Sequence, residues 1–227
     1  MNFLRNTLIA TTVMASTITA AQAGIVIGGT RVIYDGNKKE ASISVNNPDS
    51  VPYLIQSWIE TQNGGAEKAP FIITPPLYRL DKDQQNVERI LLAGSAPQDK
   101  ESLYWLNIKA IPASSKDSGT NTLQIAVKTR LKLIYRPAAL KNEVPEAQAA
   151  KLTWQKSGNQ IQVTNPSNYV INFNEITVAG KKLEDVSYVL PGSTARFPLP
   201  NGVSGGAVTF KIINDYGGAG EAHRSSI

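Results

Sequence analysis

Residues 121–137 read NTLQIAVKTRLKLIYRP. Leu123, Ile125, Val127, Thr129, Leu131, Leu133 and Tyr135 fill the odd positions, while Gln124, Lys128, Arg130, Lys132 and Arg136 take most of the even ones. Apolar character with period two marks a strand, because successive side chains leave opposite faces of a pleated backbone. At about 15 residues the segment is roughly twice or more the ordinary strand length, so one end is expected to project past its own sheet or to lie along an edge. A long apolar edge invites aggregation and is normally blunted. A chain that keeps one implies a partner that covers it.

Working outward, the segment is embedded in β grammar. Residues 102–111, SLYWLNIKAI, predict the strand before it, ended by Pro112, with a short loop to the quoted stretch. Further back, residues 53–60 (YLIQSWIE) predict a strand with Trp58 as a core anchor, and Phe71-Ile72-Ile73 a short one stopped by Pro75-Pro76, since proline cannot donate to a ladder. Residues 81–88 read as a polar loop. Residues 25–34 predict a first strand interrupted at Gly28-Gly29, either a bulge or a strand changing sheets, and Asp35-Gly36-Asn37 signals a hairpin turn. About seven strands with a turn every 8–12 residues is the pattern of a β-sandwich. Past residues 136–146, which read as a linker, strands are predicted over 152–156, 161–164, 169–178, 186–190, 194–197 and 207–214. The halves share no evident short repeat, and no amphipathic helix is predicted. The fold class is therefore all-β, in two sandwich domains.

At the start of the chain, Arg5, the small and apolar run through Ala20 and the Ala21-Gln22-Ala23 triplet predict a cleaved secretory signal. The boundaries expected are a leader over 1–23, a first domain over 24–140 and a second over 141–227. Loss of the leader lowers the formal charge from +5 to +4, a mild basicity. The 227-residue chain has no cysteine, so each domain must be held by its hydrophobic core alone even in a compartment that permits disulfides.

Catalytic chemistry is poorly supplied. His223 is the sole histidine and lies beside the C-terminus, where mobility is expected. Cys-His nucleophilic chemistry is impossible, and neither a Ser-His-Asp site nor a zinc site of the usual ligand types is expected. Asp81, Asp83 and Glu88 could form a carboxylate pair, but a polar loop accounts for them. Gly217-Gly218-Ala219-Gly220 lacks the lysine that follows a phosphate cradle. The lysines and arginines are dispersed without aromatic interleaving, which argues against nucleic acid. Binding is what remains.

Several segments together resemble the periplasmic chaperones of the chaperone-usher fimbrial pathway of Gram-negative bacteria: GGTRVIYDG, YLIQSWIE, FIITPPLYRL, ESLYWLNIKAIP, NTLQIAVKTRLKLIYRPAAL and INDYGG. The resemblance spans nearly the whole of residues 24–227 and is strongest in the first half. It implies two immunoglobulin-like domains in a boomerang arrangement, whose long G strand supplies a fimbrial subunit with a missing strand; β-augmentation of this kind is an established mode of peptide recognition. Leu123, Ile125 and Val127 then match the side chains that enter the subunit groove. Arg31 and Lys132 match two basic residues that grip the subunit's terminal carboxylate. Glu101, Arg136 and Asp215 match an ion network between the domains. The short loop after Pro112 resembles the branch with a short F-G loop. Lys132 has the opposite parity to the three apolar residues, which a bulge, the strand twist or the domain corner must reconcile.

What the resemblance implies for function is a non-enzymatic periplasmic chaperone, without cofactor or ATP, that delivers subunits to an outer-membrane usher. It implies no membrane insertion, and self-association through the G strand is open. A fimbrial subunit or adhesin, or a secreted glycan-binding sandwich, remain the alternatives.

Overall fold

The computed structural model describes residues 24–65, 67–113 and 123–227; the expected leader and most of the loop after Pro112 lie outside them. Described segments form seventeen strands. In the first half these are β1 (Val26–Ile27), β2 (Arg31–Asp35), β3 (Glu40–Asn46), β4 (Tyr53–Thr61), β5 (Phe71–Thr74), β6 (Leu77–Leu80), β7 (Gln85–Leu92), β8 (Ser102–Pro112) and β9 (Val127–Arg136). They make two packed sheets, ordered β1-β3-β7-β5 and β2-β9-β8-β4-β6. Gly28-Gly29 is where the chain changes sheets: β1 pairs with β3, and β2, three residues on, runs parallel to β9 in the other sheet. Gly28 sits so close to the Ser44 side chain that a Cβ there would collide with it.

The second half holds β10 (Thr153–Ser157), β11 (Gln160–Asn165), β12 (Ile171–Val178), β13 (Lys181–Lys182), β14 (Tyr188–Val189), β15 (Ser193–Pro198), β16 (Ala207–Ile213) and β17 (Ala219–Ser226). One sheet is β10-β11-β15, the other β13-β12-β16-β17 with β14 also on β12. Between the halves lie two short 3-10 turns, Ala138–Leu140 and Pro145–Lys151. Each half buries its own core. Ile55, Leu106 and Leu133 are fully buried in the first, and Ile161, Ile171 and Val208 in the second; burying such a side chain contributes about 1.5–3 kcal/mol.

Several expectations are corrected. The long strand is β9 alone, ten residues; its last partner pair is Ala110↔Val127, although β8 itself continues to Pro112 against β4. Leu123 to Ala126 therefore continue without a ladder. Asp35-Gly36 does not turn a hairpin, because β2 and β3 belong to different sheets. Trp58 is not a core anchor: Ile55 and Ser57 point inward, so Trp58 lies on the outer face. β6 was hidden behind Pro75-Pro76. The C-terminal segment is not frayed, for β17 pairs along β16 and sets His223 opposite Phe210 with ring centroids 5.4 Å apart.

A repeat also exists that the sequence reading missed. Asn47, just past the end of β3, and Asn165, the last residue of β11, each precede a proline. Each accepts at Oδ1 from the backbone N–H two residues on, both at 3.0 Å, and donates from Nδ2 to the carbonyl four residues on, Val51 at 2.8 Å and Tyr169 at 2.7 Å. Both amides are fully buried and tie one turn to a neighbouring strand. The halves thus share a corner built from two residues.

Glu88 is the largest departure from the sequence reading. It lies in β7, fully buried, where Ser57 Oγ donates to its carboxyl at 2.6 Å and Tyr78 Oη at 3.0 Å, while Oε2 has no partner. Burial raises its pKa, and the two hydroxyls oppose this. An acid whose folded pKa lies above its unfolded value binds more protons when folded, so it removes stability as pH rises through that interval. Glu88→Gln, which keeps an acceptor for both hydroxyls, should raise the melting temperature at pH 8 by a few degrees and leave it nearly unchanged at pH 4. An equal shift at both values would refute a charged Glu88 as the cause.

Candidate functional site

Each residue of a strand directs its N–H and C=O to one edge, so a strand between two neighbours is saturated and a strand with a bare edge is not. β9 has both kinds of segment. Over residues 132–135 it is flanked by β8 on one side and β2 on the other, and the β2 pairing runs from Arg31↔Lys132 to Asp35↔Arg136. Over residues 127–131, β8 covers one edge and no strand among the described residues covers the other. The bare edge stops where β2 begins. Leu123, Ile125 and Val127 lie along that open stretch, 87%, 63% and 57% exposed. Gln124 Nε2 donates to the carbonyl of Pro112, which ties this run back to the end of β8.

Arg31 and Lys132 are register partners in a parallel pair and so leave the same face of the sheet. That face is the outer one, since Val32, Leu133 and Tyr135 point into the core. The β8–β9 register runs unshifted from Ser102↔Tyr135 to Ala110↔Val127, so no bulge lies between Lys132 and Val127. The parity difference is real: the two cations and the apolar residues use opposite faces, and the cations meet at the corner where the open edge ends.

Burial shapes both cations. Lys132 is pulled down to about 8 by desolvation, with the Arg31 charge adding to the shift. Its Nζ donates to Asn172 Oδ1 at 2.5 Å and lies 4.6 Å from the Tyr188 ring centroid. Arg31 is lowered by desolvation, which Asp215 and Glu146 oppose, and its buried Nε has no hydrogen-bond partner. Neither cation forms an ion pair among the described residues. Holding Lys132 charged at neutral pH costs the fold stability, and a bound anion would offset that cost.

Directly below, Arg136 joins the halves. Its Nε donates to Glu101 Oε1 at 2.6 Å, and its terminal nitrogens make a bidentate pair with Asp215 at 2.6 and 2.8 Å. Glu101 also accepts from the Val170 N–H at 2.7 Å, while its own N–H donates to the Asn168 carbonyl at 2.8 Å. Burial raises the Glu101 pKa and the Arg136 charge opposes it. The charge and hydrogen bonds of Asp215 and Glu101 keep Arg136 protonated against its own desolvation. Beside this network Leu103, Ile134 and Val170 form a small apolar joint, flanked by Trp105, Tyr188 and Leu190.

The sequence therefore pointed to residues that the fold does bring together, Arg31 with Lys132 and Glu101 with Arg136 and Asp215. It missed the second-half partners Asn172, Tyr188 and Val170. Asn172 sits in the run YVINF, where only its failure to match the apolar neighbours could have marked it. His223 packs on the Phe210 ring and its buried Nε2 has no hydrogen-bond partner, and no cluster of metal-ligating residues exists among the described residues. No described helix is long and apolar enough to cross a membrane.

Comparison with known proteins finds matches to both halves of the chain. A model described as "Pili and flagellar-assembly chaperone, PapD N-terminal domain" matches residues 24–141, and "Pili assembly chaperone PapD, C-terminal domain" matches 147–224. Chaperone protein LpfB of Salmonella typhimurium is 47% identical over 203 residues, covering 87% of each chain. The probable fimbrial chaperone LpfB of Escherichia coli O157:H7 is 45% identical over 202 residues, covering 87% of this chain and 86% of its own. A chain from the solved complex of the Salmonella enterica SafA pilin with the SafB chaperone superposes with a TM-score of 0.84 at 33% identity, covering 92% of this chain and 99% of that one.

Removing Arg136 leaves Glu101 buried without its counterion, a loss that typically costs about 3–5 kcal/mol. Arg136→Ala should lower the urea midpoint accordingly and enlarge the radius of gyration in small-angle scattering. An unchanged radius would mean that the network does not set the angle between the halves.

Proposed function

The chain belongs to the pilus-assembly chaperone family, and we propose that it acts in the periplasm, without catalysis, by lending β9 and the run before it to a fimbrial subunit. The observation that carries this reading is the bare edge of β9 ending at Arg31 and Lys132. A strand laid along residues 127–131 finds on that edge main-chain groups that no other strand covers. It cannot continue past residue 131, because β2 already occupies the edge. A chain that ends there presents a terminal carboxylate to two desolvated cations that lack an anion, and charge-assisted bonds fix its register.

On the opposite face, Leu123, Ile125 and Val127 project with period two and would fill a subunit core that lacks a strand. Each could bury enough apolar surface to contribute about 1.5–3 kcal/mol. The Arg136 network holds the second half against the first and so fixes Asn172 and Tyr188 beside Lys132. Release to an outer-membrane usher would follow when another strand replaces β9 in the groove. No covalent step is involved, and the likeness to a chaperone solved with its pilin supports the subunit as partner.

Co-expression with the cognate subunit tests the anchor. Arg31→Ala and Lys132→Ala should each abolish subunit accumulation while the purified chaperone keeps its fold; unchanged yield would exclude the carboxylate anchor. The charge on Lys132 gives a second test. With its pKa near about 8, the cation is lost as pH rises through that value, so the affinity for a free carboxylate terminus should fall between pH 7 and 9 in calorimetry. Lys132→Arg should flatten that dependence, and a wild-type affinity independent of pH over this range would contradict the assignment.

A further inference from the structure

On the outer face of the first-half sheet, the cations of β9 are laid on aromatic rings in sequence. Lys128 Nζ lies 5.7 Å from the Trp58 ring centroid, the Arg130 guanidinium 4.3 Å from that of Trp105, and Lys132 Nζ 4.6 Å from that of Tyr188. Lys109 is the register partner of Lys128 and shares its face. The acidic group in contact with this strip is Glu60, whose Oε2 lies 3.4 Å from Arg130 Nη2 and whose Oε1 accepts from Trp58 Nε1 at 2.8 Å. Beneath it Asn107 is fully buried, with Oδ1 unpartnered. Lys128 and Arg130 remain exposed.

Stacking holds a long cationic side chain flat against a ring while leaving its charge available, so less rotamer freedom is lost when an anion arrives. The strip runs beside the bare edge of β9, on the side opposite Val127. In a parallel pair, residues opposite each other share a face, as Arg31 and Lys132 do here. A strand added along residues 127–131 would therefore send alternate side chains toward Lys128 and Arg130, and the intervening ones toward the Val127 side.

We infer that the Lys128–Arg130 strip is a second reading surface, selecting subunit strands that carry acidic side chains at the positions between their apolar ones. This rests on the strand-addition reading above and adds to it. Apolar alternation and the terminal carboxylate would admit many strands; the strip sorts them by charge on the opposite face, through complementarity that acts on specificity more than on bulk affinity.

Two synthetic peptides test it, each with valine at alternate positions and a free terminal carboxylate, one with aspartate and one with asparagine at the three intervening positions nearest the terminus. The aspartate peptide should bind the wild-type chaperone about fivefold more tightly at low salt. That preference should shrink at high ionic strength and fall to near unity in the Lys128→Gln/Arg130→Gln double variant. A terminally amidated aspartate peptide should bind weakly to both proteins, which reports the anchor separately. Equal affinity of the aspartate and asparagine peptides for wild type, with the amidated one still weak, would overturn the strip and leave strand addition standing. If no peptide bound, strand addition itself would fail, and the strip with it.

Discussion

The structure turns on an unshared main-chain edge. β9 is paired on both edges where β2 flanks it and bare on one edge over residues 127–131. Unpaired N–H and C=O groups in a sheet seek another strand, which is why exposed edges are normally short, charged or covered. Here the edge continues into Leu123 and Ile125, which are largely exposed. The liability becomes useful only if the geometry dictates which strand can add and where it must stop. β2 supplies the stop, and in the proposed strand addition the cations at its first residue and at Lys132 give the strand a reason to end there.

Everything below that corner serves its position. Arg136 cannot leave Glu101 or Asp215 without stranding a buried charge, and Glu101 in turn holds the backbone of Val170 and Asn168. A buried network of this kind is weak evidence for net stability. Its effect here is geometric, because it brings Asn172 and Tyr188 from the second half against Lys132 in the first. The proposed carboxylate site is thus a shared product of the two halves. The apolar joint of Leu103, Ile134 and Val170 excludes water beside it.

How much of this was legible in the sequence depended on whether one residue's surroundings were local. The period-two pattern revealed β9 because alternation is a property of the strand itself. It overstated the length, because the ladder to β8 stops at Ala110↔Val127, and where pairing with a neighbour stops is not written in β9. Glu88 read as a loop acid because its two hydroxyl partners come from β4 and β6, distant in sequence. His223 read as a tail residue because β17 is polar on both faces and gains its place from β16. The Asn-Pro corners were visible as letters, yet two residues are too few to register as a repeat until both side chains are seen making the same bonds. Arg31 and Lys132 looked like ordinary solvated charges without the family resemblance, since nothing local records that a parallel pairing sets them side by side.

The most direct test of strand addition is amide hydrogen exchange on the chaperone alone and in complex with a subunit. Because a strand's groups alternate between its two edges, binding should slow exchange at alternate amides over residues 123–131, with little change over residues 132–135, where β2 and β8 already hold both edges. Protection confined to another edge, such as β5 or β1, with residues 123–131 exchanging as fast as in the free protein, would contradict the account.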